Sequence, residues 1–342
     1  MLAESAAACQ SRGPAPADWR TELARAYTEV PALLAALRLE PSRIPDLDPA
    51  AQGFRLLVPR GFAALMTPTD PLDPLLRQVL PLGVEGREVR GFVPDPVGDE
   101  AARRGPALLV KYHARALLIA HGGCAVHCRY CFRRHFRYAG DGALSERLDA
   151  AVRAIARDPS LTEVILSGGD PLLLDDRLLG HLLDSLAALP RLRRLRLHSR
   201  LPVVLPSRVT RGLCRILEGT GLRTSVVIHA NHPRELAADC AEALARLRRT
   251  GATLLNQSVL LAAVNDSTEV LARLSEELFQ LGVLPYYLHQ LDPVQGAAHF
   301  QVEDARALQI HNALRDRLPG YLLPRLVREI PGASAKMPLA GG

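Results

Sequence analysis

The sequence predicts an α/β fold, a partial (β/α)6 barrel preceded by a helical extension at the N-terminus. From about residue 111, six short apolar runs rich in β-branched residues alternate with amphipathic stretches. That alternation is typical of parallel strands covered by helices. The 342 residues are 48% hydrophobic, which suits one large core with appendages. An open, doubly wound sheet is the alternative architecture for the same pattern.

The predicted elements fall into three parts of the chain. Residues 1–110 form the extension, with one helix expected over 18–39, where apolar residues recur at helical spacing before proline-rich loops. Residues 111–318 form the core and 319–342 a C-terminal segment. The predicted strands are 115–121, 163–169, 194–199, 224–230, 253–261 and 284–292. The predicted helices are 143–157, 174–188, 206–218, 234–249, 267–281 and 303–317.

The charge balance is mildly basic. Lys and Arg number 42 and Asp and Glu 36, which gives a formal net charge of +6. The densest basic stretch is RLRRLRLHSR, residues 191–200. It could contact nucleic acid or an acidic partner. Because no nucleic-acid motif accompanies it, we interpret it as an arginine-rich strand with one solvated face.

The cysteines fit a reducing compartment. The first twenty residues carry Glu4, no basic segment and no sustained apolar run, so we expect no signal peptide, and no stretch is apolar enough to cross a membrane. We therefore expect a cytoplasmic protein, in which six cysteines are free, metal-binding or catalytic rather than paired. Cys9, Cys214 and Cys240 are scattered, and we interpret them as small buried or tail residues.

Chemistry in such folds lies at the carboxyl ends of the strands. That rule selects, in chain order, HGGC at 121–124, SGGDP at 167–171, HSR at 198–200, HANH at 229–232, Gln257 within its strand, and HQLD at 289–292.

The first of these ends runs into CAVHCRYC, residues 124–131. Thiolates are the usual ligands of iron–sulfur clusters, and three of them leave one iron of a [4Fe–4S] cube open. A zinc site is an alternative that would need a fourth ligand, for which His121 or His127 is available. Three unrelated buried cysteines are another alternative.

Two further stretches are ambiguous when taken alone. The glycines of SGGDPL, residues 167–172, let a ligand approach the backbone closely, but the same stretch is also ordinary loop chemistry. Lys336, in a loop of small residues, could bind pyridoxal phosphate (PLP) covalently. Most isolated lysines are instead solvated surface charges.

Several longer stretches together resemble the lysine 2,3-aminomutase family of radical S-adenosylmethionine (SAM) enzymes. The resemblance runs from about residue 19 to residue 338, and within the family it is greatest to the branch that makes β-lysine for elongation factor P. The stretches are KYHARALL, GGCAVHCRYCFRRHF, SGGDPL, LRLHSRLPVVLP, LLNQSVLL, PYYLHQLDPVQGAAHF and PGASAKMP.

The resemblance implies a radical SAM barrel and a role for each matching residue. Cys124, Cys128 and Cys131 would bind the [4Fe–4S] cluster; Tyr130, Ser167, Gly168, Gly169, Asp170 and Gln257 would surround SAM; Lys336 would carry PLP; Lys111, Tyr112 and Arg115 would anchor its phosphate; Arg133 would bind the substrate carboxylate; Asp292 and Glu329 would receive the substrate ε-ammonium; and His229 would lie close to the cofactors. Lys111 stands where the family usually has Arg, and Glu329 where it often has Asp.

The implied activity is that of an isomerase, an L-lysine 2,3-aminomutase. It would move the amino group of free (S)-α-lysine to the β-carbon and give (R)-β-lysine, used for β-lysylation of elongation factor P. The resemblance also implies a functional link to elongation factor P and its lysyl ligase, and a one-electron reductant of the flavodoxin or ferredoxin type. It implies no membrane or nucleic-acid partner. Two rivals stay open: a radical SAM enzyme without PLP, and a non-enzymatic module with a structural metal and an RNA-binding surface.

Overall fold

A computed structural model of the protein describes residues 18–51, 53–138 and 143–339. The expectation about a signal peptide and the interpretation of Cys9 therefore concern residues outside the described ranges. Within those ranges, none of the helices has the length and apolar character that a membrane span requires.

The described residues contain ten strands in one sheet. The strands are β1 (Arg103–Gly105), β2 (Leu108–Tyr112), β3 (Arg115–His121), β4 (Glu163–Gly168), β5 (Arg194–Ser199), β6 (Arg223–Ile228), β7 (Thr253–Val259), β8 (Leu284–His289), β9 (Arg325–Arg328) and β10 (Met337–Pro338). The α-helices are α1 (Trp19–Ala24), α2 (Val30–Ala36), α3 (Arg60–Ala63), α4 (Pro74–Arg77), α5 (Leu144–Arg157), α6 (Asp176–Ala187), α7 (Leu201–Val204), α8 (Arg211–Gly219), α9 (Ala238–Arg249), α10 (Thr268–Gln280) and α11 (Asp304–Arg317).

The strands lie side by side in chain order. Strands β3 to β9 run parallel, whereas β1, β2 and β10 pair antiparallel at the two ends. A doubly wound sheet reverses its strand order at a switch point, and this sheet does not. The partial barrel is therefore confirmed. All six residues of β4 are buried, as expected for a strand covered on both faces.

The six predicted strands correspond to β3 to β8, and the six predicted helices to α5, α6 and α8 to α11. Helix α8 begins later than predicted, because the Thr210 hydroxyl accepts from the Leu213 amide at 3.0 Å and caps it there. The single helix predicted over 18–39 is wrong. Two short helices form instead, because Tyr27 leaves the helical path and its amide donates to the Val58 carbonyl at 2.8 Å.

The sheet also extends beyond what the sequence pattern indicated. Strand β1 lies within the predicted helical extension, and β2 crosses its boundary at residue 110. Strands β9 and β10 form a hairpin in the C-terminal part. The division of the chain at residues 110 and 318 stays a prediction, since the sheet is continuous across both points.

The arginine-rich stretch 191–200 is not a uniform solvated face. Its first arginines, through Arg194, are exposed, as expected. Arg196 instead pairs with the Glu163 carboxylate, and Arg200 is buried beside the cysteine loop. For these two residues the interpretation as surface charge was wrong, because each lies against a group on a neighbouring element. Arg196 contacts the Glu163 carboxylate, and Arg200 contacts the Cys128 thiol.

Candidate active site

The three motif cysteines lie in the loop that follows β3, the first parallel strand of the barrel. All three are free thiols. They lie close enough to affect one another, since burial and the neighbouring Cys128 raise the pKa of Cys131 to about 11. Burial and Cys131 likewise raise the pKa of Cys124. A loop that offers three adjacent thiols fits the ligand chemistry of an iron–sulfur cluster.

The two histidines considered as zinc ligands are engaged by the backbone. The Nδ1 atom of His121 accepts from the Gly123 amide at 2.9 Å, and Nδ1 of His127 lies 2.8 Å from the Arg55 carbonyl oxygen. In the described part of the chain, no three His, Cys, Asp or Glu side chains converge on one metal ion. The separated corners of a four-iron cube need no such convergence.

The N-terminal extension holds the cysteine loop through Glu85. Its carboxylate accepts from Arg129 at 2.6 and 2.8 Å and from Arg134 at 2.7 Å. The ring of Phe54 lies 4.9 Å from both guanidinium carbons. All three charged side chains are nearly inaccessible to solvent, so the pairing is strong, and arginine neighbours lower the pKa of Glu85 despite burial. No sequence pattern indicated a role for Glu85.

The predicted Gly-Gly stretch lies directly against the cysteine loop. The amide of Gly169 donates to the His121 carbonyl and that of Asp170 to the Gly123 carbonyl, each at 2.8 Å. A Cβ on Gly169 would lie 2.1 Å from the Gly123 oxygen, so no other residue fits without movement. Gly168 has a φ of +114°, a conformation that glycine adopts readily. These two glycines therefore bring the ends of β3 and β4 together.

The Asp170 side chain links the Gly-Gly stretch to the next strand, β5. Its carboxylate accepts from the Ser199 hydroxyl at 2.8 Å and from the Arg200 amide at 2.8 Å, which ties the end of β4 to the end of β5. Burial raises the pKa of Asp170 to about 6. Ser167, at the other end of the motif, accepts from Arg133 at 3.2 Å.

Tyr130 and His229 form a stacked pair beside the cysteine loop. The Tyr130 hydroxyl lies 3.1 Å from His229 Nε2 and accepts from the Asn231 amide nitrogen at 2.7 Å. Burial and the charge of Arg200 lower the pKa of His229 to about 3, so its imidazole is neutral. Gln257 lies half-buried on β7, opposite Tyr287 of β8.

The hairpin of β9 and β10 brings Lys336 to Glu329. Met337 pairs with Arg328, so the residues next to this pair face each other across the turn. The Nζ of Lys336 lies 2.6 Å from Glu329 Oε2, and the Tyr112 hydroxyl donates to Oε1 at 2.5 Å. The guanidinium of Arg115 lies 5.0 Å from the Tyr112 ring.

Asp99, which the sequence did not single out, joins two of the predicted site residues. Its carboxylate lies 2.7 Å from Arg133 Nε and 2.6 Å from Lys111 Nζ. Lys111 lies in turn 3.7 Å from Glu329. A connected series of ion pairs therefore runs from Arg133, two residues after the last motif cysteine, to Lys336. The only signal for Asp99 was an acidic residue in a proline-rich loop, which is too common to be informative.

Asp292 lies near the same lysine, whose charge acts on its carboxyl group. Its Oδ1 atom is buried and unpaired within the described residues. Burial raises the pKa of Asp292 to about 7, with Lys336 opposing and Glu329 reinforcing the shift. His289 is buried and His198 half-buried at strand ends that the sequence selected without giving either residue a role. Burial lowers the pKa of each, with the charges of Arg196 and Lys336 contributing at His198 and that of Lys336 at His289. The Lys336 side of the barrel thus combines neutral rings with acidic groups.

A partial barrel whose first parallel strand ends in a CxxxCxxC loop defines the class of radical SAM enzymes, and the pattern of the Radical SAM superfamily matches residues 118–259. The chain is 47% identical over 327 residues to the L-lysine 2,3-aminomutase of Escherichia coli, covering 95% of each chain. It therefore belongs to the L-lysine 2,3-aminomutase family. As a member it is an isomerase of the radical SAM type, and that class uses a [4Fe–4S] cluster and SAM.

Other relatives agree. The L-lysine 2,3-aminomutase of Haemophilus influenzae is 44% identical over 319 residues, which cover 93% of this chain and 94% of the relative. That of Clostridium subterminale is 32% identical over 326 residues, which cover 94% and 77%. Among solved structures, Streptococcus suis SuiB bound to S-adenosylmethionine aligns with a TM-score of 0.49 at 12% identity, over 64% of this chain and 51% of that one.

Proposed function

We propose that this protein converts free L-lysine into β-lysine with a [4Fe–4S] cluster, SAM and PLP. The observation that carries the proposal is the series of ion pairs from Arg133 through Asp99, Lys111 and Glu329 to Lys336. In support of the proposal, this series connects an amine that could bind PLP to a guanidinium that could bind a carboxylate, and that guanidinium belongs to a residue two positions after the last motif cysteine.

In this proposal Cys124, Cys128 and Cys131 hold the cluster, and the Gly168–Gly169 backbone borders SAM. The Gly-Gly stretch can do so because its amides already pack against the cysteine loop. Tyr130, Ser167, Asp170 and Gln257 complete the surroundings of SAM, and the neutral ring of His229 adds no charge. When bound, the cluster and SAM supply one-electron cleavage and a carbon radical, and PLP supplies a carbonyl that can hold the migrating nitrogen.

The protein orients a free amino acid between opposite charges. Arg133 uses Nε for Asp99 and Nη1 for Ser167, and its Nη2 makes no hydrogen bond in the described part of the chain. That leaves a guanidinium edge for the α-carboxylate. The ε-ammonium would lie at Asp292 and Glu329, since buried carboxylates need a cation. Fixing both ends of the substrate holds the α- and β-carbons in place while the amino group moves.

The PLP assignment rests on the chain's unusual lysine content. Only two of its 342 residues are lysine, Lys111 and Lys336, and both reach Glu329. Lys336 lies between the two strands of the hairpin, among small residues, and 24% of its side chain is exposed. Lys111, Tyr112 and Arg115 are a cation, a hydroxyl and a guanidinium from β2 and β3, a set suited to a phosphate. Lys111 donates to the Val97 carbonyl at 2.8 Å and lies 2.6 Å from Asp99.

An anaerobic assay tests the proposal. The protein is reconstituted with iron, sulfide and PLP, then given SAM, dithionite and L-lysine, and the product is identified by chiral chromatography and mass spectrometry. We expect (R)-β-lysine, formed only with both SAM and PLP. Methyl-esterified lysine should be a poor substrate, because it offers Arg133 no carboxylate. Cleavage of SAM without β-lysine would contradict the choice of substrate but not the radical machinery.

The proposed destination of the product is elongation factor P, through its lysyl ligase, with electrons from a flavodoxin or ferredoxin. Its support is the sequence resemblance alone. A second assay offers elongation factor P that already carries lysine. Because Arg133 expects a free α-carboxylate, we expect the attached lysine to stay unchanged, and free β-lysine to be accepted by the ligase. Isomerisation of the attached lysine would overturn the choice of the free amino acid.

A further inference from the structure

A buried arginine contacts one of the three cysteines directly. Arg200 follows β5, and only 8% of its surface is exposed. Its Nη1 donates to the Cys128 sulfur at 2.7 Å. Its Nη2 donates to Gln78 at 2.7 Å and to the fully buried Glu235 carboxylate at 3.0 Å. The guanidinium therefore bridges a cysteine sulfur and a buried negative charge.

The position of this guanidinium is fixed from several sides. The Arg200 amide donates to Asp170 at 2.8 Å, and the guanidinium carbon lies 5.5 and 5.7 Å from the rings of Phe62 and Tyr130. The Nε atom is buried and lacks a partner within the described residues. A buried unpaired N–H costs free energy. The guanidinium therefore keeps its contact with the Cys128 sulfur although its Nε atom remains without a hydrogen bond within the described residues.

We propose that Arg200 is a positioning residue that raises the reduction potential of the cluster by donating a charged hydrogen bond to the Cys128 sulfur. The inference rests on the proposed binding of the cluster by the three cysteines. Reduction adds one electron, and part of its charge falls on the ligand sulfurs. A positively charged donor stabilises the reduced cluster more than the oxidised one, since cluster potentials follow net charge and hydrogen bonds to sulfur. The opposing Glu235 carboxylate accepts from Nη2, whereas the sulfur accepts from Nη1.

The test is a redox titration of the reconstituted protein without SAM, followed by electron paramagnetic resonance. In Arg200→Met we expect a more negative potential. At a fixed solution potential the ratio of reduced to oxidised cluster should fall about tenfold, which corresponds to about 59 mV for one electron. Arg200→Lys keeps the charge and should recover part of the shift. Leaving SAM out removes any effect that Arg200 has on SAM binding.

Arg208→Met is the matched control. Arg208 is also buried, with 0% of its surface exposed, and is paired with Asp176, but it donates to the Leu172 and Leu174 carbonyls rather than to sulfur. Its variant should lose stability comparably and keep the wild-type potential. If the potential moves as far in Arg208→Met as in Arg200→Met, the shift reports general loosening and the inference is wrong.

A double variant separates the hydrogen bond from net charge. Arg200→Met leaves Glu235 unpaired, whereas Arg200→Met with Glu235→Gln removes both charges. We expect the potential of the double variant to stay below that of the wild type, because the sulfur still lacks its donor. Return to the wild-type potential would overturn the inference. Iron analysis distinguishes failure of this inference from failure of the proposed cluster site. If the three cysteines do not bind the cluster, the wild-type protein will not bind four irons, whatever the effect of replacing Arg200.

Discussion

The Nζ of Lys336 lies 2.6 Å from Glu329 Oε2, so the chain's own ammonium occupies the carboxylate that we assign to the substrate's ε-ammonium. Lys336 lowers the pKa of Glu329 despite burial, which shows that the contact favours the charged pair. A Lys336 nitrogen bound to PLP would be drawn away from this carboxylate. Glu329 would then be available to the substrate.

Replacing Lys336 tests the PLP assignment. We expect Lys336→Ala to abolish β-lysine formation and to leave iron content and SAM cleavage intact, because within the described residues Lys336 pairs with Glu329 and makes no hydrogen bond or ion pair with the cysteine loop. Borohydride reduction followed by peptide mass spectrometry identifies the modified residue, and with two lysines in the chain there are only two side-chain candidates. Full activity in Lys336→Ala would contradict the assignment.

Lys111→Arg is the matched control for that experiment. It introduces the arginine that the sequence resemblance implies at this position and keeps a cation beside Asp99, so activity and the PLP adduct on Lys336 should both be retained. If the PLP adduct disappears in Lys111→Arg and persists in Lys336→Ala, Lys111 rather than Lys336 binds PLP.

Two substitutions of Glu329 separate the effect of losing its negative charge from the effect of shortening its side chain. In Glu329→Gln the ammonium site loses one of its two carboxylates, and a partly buried ion pair of this kind contributes on the order of 2 kcal/mol. We therefore expect kcat/KM for lysine to fall about thirtyfold. Glu329→Asp keeps the charge, and its kcat/KM should fall much less. Steady-state kinetics on both variants decides the point, and equal losses would mean that geometry rather than charge governs this position.

Asp292 should make lysine capture depend on pH. Burial raises its pKa to about 7, so protons compete with the substrate cation, and its ionised fraction increases as the pH rises through 7. Lys336, Glu329, Lys111 and Asp99 face it, and the pKa values of Glu329 and Asp99 are lowered, so both carboxylates remain ionised over this range. Between pH 6 and 8, kcat/KM for lysine should rise up to about tenfold.

Asp292→Asn is the check on that pH dependence. The variant should have a lower kcat/KM at every pH, and its profile should lose the rise near pH 7. A rise that survives unchanged in Asp292→Asn would mean that another group titrates there.

The sequence predicted the parts of the site that consist of contiguous residues at strand ends. The cysteine loop and the Gly-Gly stretch are contiguous, and their placement at strand ends followed from the alternation of strands and helices. Asp99 and Glu85 could not be found this way, because Asp99 lies in a loop and Glu85 in a single turn of 3-10 helix, and each meets arginines at least 34 residues away. Arg200 was located at a strand end, yet only the fold shows that it faces a sulfur rather than water. The β9–β10 hairpin was missed because both strands are too short for a period to appear.

Gly169 is the residue whose replacement should damage the cluster site most directly. An added Cβ would lie 2.1 Å from the Gly123 oxygen, within the backbone of the cysteine loop, and backbone cannot yield as a flexible side chain does. Gly169→Ala should therefore displace the loop, reduce the iron bound after reconstitution, and lower the free energy of unfolding by roughly 1–3 kcal/mol. Iron analysis and thermal denaturation measure the two effects.

Gly180→Ala provides the control, since Gly180 lies in α6 and its added Cβ would meet only Ile216 at 3.9 Å. Alanine favours a helix over glycine, so this variant should keep full iron content and gain about 0.5–1 kcal/mol of stability. Normal iron binding by Gly169→Ala would show that the cysteine loop can move without losing the cluster. The close packing of the β3 and β4 ends would then serve the fold rather than the cofactor.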